Sequence, residues 1–343
     1  MNPEAKLVKR ILLIKPRGIG DVLLSTIILE NLKNYYTFAE IDYLVEPFVK
    51  PVLENISLIN SVHTIGKKEF PLKAAARLRK YRYDMIIDLW SNPRSAQITF
   101  LTGAKFRVGF GYRGRKYAYN IRGTSAKGAH HSAEHNLELL HTLGIPVISK
   151  KIHFNLTPDE IKKAKHYFAE NIKTTKPVIG IIPAGGWPSK RCDAVKWVEI
   201  CRAIENKFDL KFLILWGPGD EKDSEYICNE LGEVSHIAPP TELREMAALI
   251  NQCDLVIAND SGPMHIAAAL NIPTIGIFGP TNPKAHGPYS QNSSYVIKED
   301  LFCIICNKLT CPYNHECMLE LPVEKILSAI EKTGSDKIFK AGR

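Results

Sequence analysis

A chain of 343 residues is longer than one ordinary core organises, so two domains of about 150–170 residues are expected. Hydrophobic residues at 45% and charged residues at 24% are globular proportions, and no apolar run approaches the ~18–20 residues that span a bilayer. The net charge of +9 is unevenly placed: residues 1–170 hold 27 Lys and Arg against 15 Asp and Glu, whereas residues 171–343 hold 18 against 21.

The start, Met1 to Arg10, is short and charged and leads straight into the strand-like Ile11-Leu12-Leu13-Ile14, so no secretory signal is read. Eight cysteines in a chain of this size without an export signal do not read as a disulfide framework, and a cytoplasmic location is expected. A glycine-bearing turn and a helix over Val22–Asn34 follow. Strands are expected at Ile41–Val45, Asp84–Leu89 and Arg107–Phe110, with helical segments between them. The pattern restarts at Val178–Pro183 after the polar stretch Asn171–Pro177. Helices are then expected near Asp193–Phe208, Lys222–Leu231, Thr241–Cys253 and Met264–Leu270, alternating with strands at Phe212–Trp216, Leu255–Ala258 and Thr274–Phe278. Short apolar runs alternating with helices imply parallel sheets buried on both faces. The expected architecture is therefore α/β: two doubly wound, Rossmann-like domains, 1–172 and 173–343, facing across a cleft. The last helix, about 322–332, is expected to cross back onto the first domain.

In such sheets ligands bind beyond the carboxyl ends of the strands, which directs attention to the turns there. In Lys15-Pro16-Arg17-Gly18-Ile19-Gly20-Asp21, Leu23 occupies the third glycine position of a dinucleotide fingerprint, and no Lys-Ser/Thr makes a P-loop. Asp21 is either an aspartate capping the first helical turn or a general base. In Pro183-Ala184-Gly185-Gly186-Trp187-Pro188-Ser189-Lys190, adjacent glycines let backbone approach a ligand and Lys190 is placed to neutralise phosphate. The most specific segment is Asn259-Asp260-Ser261-Gly262-Pro263-Met264-His265. Asp260 or Ser261 is positioned to cap the helix, Gly262 removes bulk at its mouth, and Pro263 suits its first turn. The free N–H groups and positive helix end suit a diphosphate, with His265 in reach of the same anion or simply packed. Gly279-Pro280-Thr281-Asn282-Pro283 is a further turn on the same edge, small enough to leave room for a ligand.

Between Asp88 and Glu134 there is no acid, while Arg94, Lys105, Arg107, Arg113, Arg115, Lys116, Arg122 and Lys127 all fall there. A basic stretch of this kind is either a solvated face or the seat of an anionic partner. Near the end, Cys303, Cys306, Cys311 and Cys317 fall within fifteen residues. They are candidate ligands for a structural zinc ion or an iron–sulfur cluster, or buried reduced thiols, because the paired CxxC…CxxC spacing of a firm zinc site is missing.

The stretches ILLIKPRGIGDVLLS, PAGGWPSK, LWGPGDE, ELREMAALINQCDLVIANDSGPMHIAAAL and IFGPTNP together resemble the ADP-heptose:lipopolysaccharide heptosyltransferase family (glycosyltransferase family 9), inverting enzymes of the GT-B fold. The likeness runs from residue 11 to about 288. It implies a basic acceptor-binding first domain and an ADP-sugar-binding second domain. It implies that Asp21 is the catalytic base, that Lys190 meets the donor phosphates, that Asp260 lies near the donor sugar, and that Ser261, Gly262 and His265 form the diphosphate-binding helix mouth. Glu221 matches the acid that binds the nucleotide ribose, with Asp220 as close an alignment. Cys192 replaces a tryptophan common in relatives, and Gly185 and Gly186 replace hydroxyl residues. Arg107 and Arg113 are the first candidates for contact with the carboxylates and phosphates of a lipopolysaccharide inner core. The implied reaction is transfer of a heptose from ADP-heptose, with no cofactor or metal required, and transient contact with the inner membrane face follows from a lipid-linked acceptor.

Alternatives are transfer of another activated sugar or epimerisation of a nucleotide sugar on the same fold. A nucleic-acid-binding module lacks any recognition motif or aromatic stacking face, so no nucleic-acid partner is expected. A nicotinamide-dependent oxidoreductase lacks its third glycine.

Overall fold

The computed structural model describes residues 3–4, 7–124 and 130–333; Lys127 of the basic stretch lies outside them. The chain divides into two compact units, Met1–Asn155 and Leu156–Arg343. The first contains β1 (Arg10–Ile14), β2 (Glu40–Val45), β3 (Ser61–Thr64), β4 (Met85–Asp88), β5 (Phe106–Phe110) and β6 (Ile121–Gly123). The second contains β7 (Val178–Ile182), β8 (Lys211–Ile214), β9 (Ser235–Ile237), β10 (Leu255–Asn259), β11 (Thr274–Phe278) and β12 (Ser293–Ile297). The strand orders are β3-β2-β1-β4-β5-β6 and β12-β11-β10-β7-β8-β9. Every pair in both sheets is parallel.

In both sheets the strand order reverses between two central strands, β1/β4 in one and β7/β10 in the other. The loops leaving those ends diverge and open a crevice in which doubly wound proteins hold their ligands. The turns Lys15–Asp21, Pro183–Lys190 and Asn259–His265 each leave a switch-point strand, β1, β7 and β10. The central strands read as continuous apolar runs because helices cover both faces: Ile11 to Ile14 are each 0% exposed. Strands β3, β6, β9 and β12 have weak sequence signals because they are short and lie at or beside the sheet margins, only partly buried.

The helix expected over Val22–Asn34 starts earlier, at Ile19, and is broken by a 3-10 turn at Thr26–Ile28. Ser25 Oγ and Thr26 Oγ1 donate back to the carbonyls of Val22 and Leu23, and Thr26 Oγ1 also accepts the His153 N–H. These hydroxyls compete with the helical ladder.

The boundary also moves, from 172/173 to 155/156. Helix Pro158–Tyr167 belongs to the second unit. Thr157 and Glu160 close a reciprocal capping box around Pro158, and both Glu160 oxygens accept from Arg244, at 2.6 and 2.8 Å. The polar stretch Asn171–Pro177 is thus a surface turn of that unit, carrying Lys173 at a φ of 46°, and not a linker. Ile326, Ala329 and Ile330 of the final helix, Val323–Thr333, are buried in the core of the second unit. Among the described residues no helix is long and apolar enough to cross a membrane.

Arg244 holds the Glu160 carboxyl down from the ordinary 4.5 to about 2. A carboxyl with a lowered folded-state pKa adds stability above its unfolded value and loses it as the pH falls toward the folded one. Arg244→Met is expected to destabilise the protein at neutral pH by about 1.5–3 kcal/mol, the range for hydrogen bonds to charged groups. Urea titrations should show that deficit shrinking between pH 4.5 and 2.

Candidate functional site

In the second unit the site is assembled where β7 and β10 end. Asn259 Nδ2 donates to the Pro183 carbonyl at 2.7 Å and fixes the two strand ends to each other. The turn after β7 closes in a 3-10 turn, Pro188–Lys190, whose Lys190 Nζ lies 2.7 Å from Asp260 Oδ2 and 4.4 Å from the centre of the Trp187 ring. Thr281 Oγ1, from the turn after β11, donates to the same Asp260 oxygen at 2.6 Å. Asp260 and Thr281 are buried, and the Lys190 side chain is only 15% exposed.

Helix Gly262–Ala269 starts beside this cluster, with Ser261 as its extended N-cap residue. Neither candidate cap functions as one. Ser261 makes no capping bond, its buried hydroxyl has no hydrogen-bond partner among the described residues, and Asp260 is committed to Lys190 and Thr281. The helix therefore presents N–H groups and a hydroxyl at a site lined by a lysine, the arrangement that binds phosphate. His265 follows in the first turn, 8% exposed.

Arg191 organises the neighbouring loop. Its Nε donates to the Gly185 carbonyl, and its Nη1 lies 2.8 Å from Asp220 Oδ1. Asp220 is buried, and burial pushes its carboxyl upward. Glu221 is the less buried of the two acids; its Oε2 accepts the Gly219 N–H at 2.9 Å.

The cysteine segment braces these same turns. Ser189 N–H and Oγ donate to the carbonyls of Leu309 and Lys308, and His315 Nε2 donates to the Ser189 carbonyl. Ile305 and Asn307 donate to the carbonyls of Gly279 and Pro280. Cys303, Cys306, Cys311 and Cys317 are free and half-buried, and burial pushes the Cys317 thiol up to about 11. Among the described residues no group of three or more His, Cys, Asp or Glu side chains stands in a metal-holding arrangement.

In the first unit Gly18 adopts a φ of 87°, and a Cβ there would lie 2.5 Å from Asp21 Oδ2. The Asp21 carboxylate thus folds over bare backbone. It makes no cap, its side chain is 50% exposed, and Lys15 Nζ lies 3.7 Å from Oδ1. Lys15 donates to the Leu89 carbonyl and lies over the Trp90 ring. The Trp90 turn is held by Asp88, which accepts from Trp90 N–H, Ser91 N–H and, at 2.7 Å, Tyr119 Oη. Asp88 is wholly buried, which raises its pKa.

Of the arginines expected to meet an acceptor, Arg113 is exposed in the loop after β5. Arg107 sits toward the amino end of β5, where its Nε and Nη1 donate to the carbonyls of Ala118 and Ala104. The structure does not bring it to the strand-end region that carries Asp21. Thr281, Arg191, Lys15 and the Asp88–Tyr119 pair were not singled out from sequence. Only the Gly279–Pro283 and Lys15–Asp21 turns, which contain Thr281 and Lys15, pointed toward any of them.

Two doubly wound units with phosphate-type geometry at a switch point define the GT-B class of fold. Residues 72–316 match the model of glycosyltransferase family 9 (heptosyltransferase), and the chain belongs to that family. A lipooligosaccharide heptosyltransferase 2 of Campylobacter jejuni subsp. jejuni serotype O:6 is 31% identical over 171 residues, 47% of this chain and 52% of that protein. The match thus spans about half the length of that relative. A lipopolysaccharide heptosyltransferase 1 of Campylobacter coli is 25% identical over 96% of this chain and 100% of its own. The ADP-heptose lipopolysaccharide heptosyltransferase II of E. coli superposes with a TM-score of 0.77 at 22% identity, over 94% of this chain and 98% of that one.

A Cβ at Gly279 would lie 2.7 Å from Cys317 Sγ and 2.8 Å from Met318 Sδ, whereas one at Gly186 meets nothing within 4 Å. Gly279→Ala is expected to cost about 1–3 kcal/mol by overpacking. Gly186→Ala should stay within about 0.5 kcal/mol of the parent. Urea unfolding of the two variants checks the contrast.

Proposed function

We propose that this chain is an inverting glycosyltransferase that moves a heptose from ADP-heptose onto the inner core of lipopolysaccharide. The observation that carries the reading is the Lys190–Asp260–Thr281 cluster beside the uncapped start of helix Gly262–Ala269. An anion entering there meets helix N–H groups, the Ser261 hydroxyl and a lysine whose own counter-ion is already in place. Lys190 then exchanges part of its pairing with Asp260 for the diphosphate, and Asp260 is left beside the donor sugar. His265 adds a donor to the same anion, and Glu221 is the ribose acid of choice because Asp220 is buried against Arg191.

Asp21 takes the proton from an acceptor hydroxyl as that oxygen attacks the anomeric carbon. The carbon–oxygen bond to the diphosphate breaks in the same step, so the anomeric configuration inverts. The charge growing on departing ADP is stabilised by Lys190 and by the backbone at Ser261–Gly262. Lys15 Nζ, 3.7 Å from Asp21 Oδ1, helps hold the carboxylate in position for the acceptor hydroxyl. Arg113 is the acceptor-side cation, facing carboxylates or phosphates of the core. This chemistry needs no metal or organic cofactor.

Asp21→Asn is expected to lower turnover by ~10²–10⁴ with ADP affinity little changed. Lys190→Met should weaken ADP binding by about one to two orders of magnitude, as removal of a charge-assisted contact does. Transfer assays with several ADP- and UDP-sugars, run beside calorimetric titration with ADP, read both effects. Near-normal turnover in Asp21→Asn removes that residue from its role. Sugar conversion without any acceptor would replace transfer by epimerisation.

A further inference from the structure

The cations of the acid-free segment do not form one cluster around Asp21. Strands β5 and β6 are parallel neighbours, so the chain from Gly111 to Asn120 must travel from the carboxyl edge of the sheet back to its amino edge. At its carboxyl end Arg115 Nη1 donates to the Ser91 carbonyl. At its amino end the rings of Tyr117 and Phe100 meet edge to face, with centroids 5.5 Å apart. Phe100 comes from the last turns of helix Pro93–Thr102. Both rings are about half exposed, at 51% and 48%. The Arg107 guanidinium lies 5.9 Å from the Phe100 ring centre, and Lys105 Nζ lies 5.2 Å from that of the partly buried Phe106. Lys105 and Lys116 are exposed beside them.

Two half-buried rings ringed by long basic side chains at one end of a cationic strip have the make-up of a membrane-interface anchor. The rings enter the headgroup level, and the lysines and arginines keep their charges among lipid phosphates. We infer that the face formed by Phe100, Lys105, Arg107, Lys116 and Tyr117 docks on an anionic lipid bilayer. The rings favour a bilayer over nucleic acid because they lie edge to face on each other, which leaves no parallel platform for stacking bases. The inference extends the proposed function, since an acceptor carried on lipid places the enzyme at a membrane. It stands on its own contacts, and its test uses neither donor nor acceptor.

The full chain is sedimented with vesicles of phosphatidylcholine alone or mixed with phosphatidylglycerol, at low and high salt. Binding is expected only to the anionic vesicles and is lost in high salt. Lys105→Glu/Lys116→Glu should weaken it by more than tenfold, at about fivefold for each cation removed. Phe100→Ser/Tyr117→Ser should weaken it at least as much at low salt. The charge variant, whose side chains are exposed, keeps the test valid if the aromatic variant fails to fold. Absence of binding to anionic vesicles at low salt, or unchanged binding in the charge variant, overturns the inference. So does equal or tighter binding of a single-stranded RNA that the same charge variant loses. In each case the Asp21 and Lys190 measurements stand or fall separately.

Discussion

The second unit depends on one buried carboxylate. Asp260 takes Lys190 and Thr281 on a single oxygen, and in doing so it withdraws from the helix start that follows it. The N-cap position next to it is Ser261, a residue type that ordinarily caps a helix but makes no capping bond. Here the cap is given up. Polar donors are held at the carboxyl edge of the sheet by side chains already locked in place. Such pre-organised donors stabilise developing charge without reorganising during the reaction. The two turns that supply Lys190 and Thr281 are tied to the Ile305–His315 segment by backbone and side-chain hydrogen bonds, so an irregular, cysteine-bearing loop braces both turns.

The first unit meets a different requirement with similar means. The proposed general base has to be accessible, and Asp21 is half exposed and makes no cap. Its position comes from the left-handed Gly18 beneath it and from Lys15 beside it. Lys15 is fixed in turn against the Trp90 turn, which is anchored by the buried Asp88–Tyr119 pair. The rigid and buried members of this series are structural, and only its last member, Asp21, is open to solvent.

Much of this was legible in the sequence where the physics is local. Central strands buried on both faces announce themselves as apolar runs, and a glycine or proline at a strand end marks a turn whatever the tertiary context. The switch-point turns at Asp21, Lys190 and Ser261 were found this way. Features that depend on distant partners were not. The pairing of Asp260 with Lys190 and Thr281 joins three separate turns. The polar stretch Asn171–Pro177 has a linker's composition, yet Arg244, 84 residues on from Glu160, fastens the preceding helix to the second unit. Arg107 looked like an acceptor contact because charge along a chain does not reveal which end of a strand a residue occupies. Its guanidinium, bonded to the Ala118 and Ala104 carbonyls, lies at the amino end, where it borders the exposed Phe100–Tyr117 pair.

A crystal structure of the protein with ADP bound tests the central claim most directly. The account predicts diphosphate oxygens within hydrogen-bonding reach of the Ser261 hydroxyl and the Ser261 and Gly262 N–H groups, with Lys190 Nζ turned from Asp260 toward them. ADP seated elsewhere, with the Gly262 helix mouth closed by packed side chains and Lys190 still paired to Asp260, would contradict it.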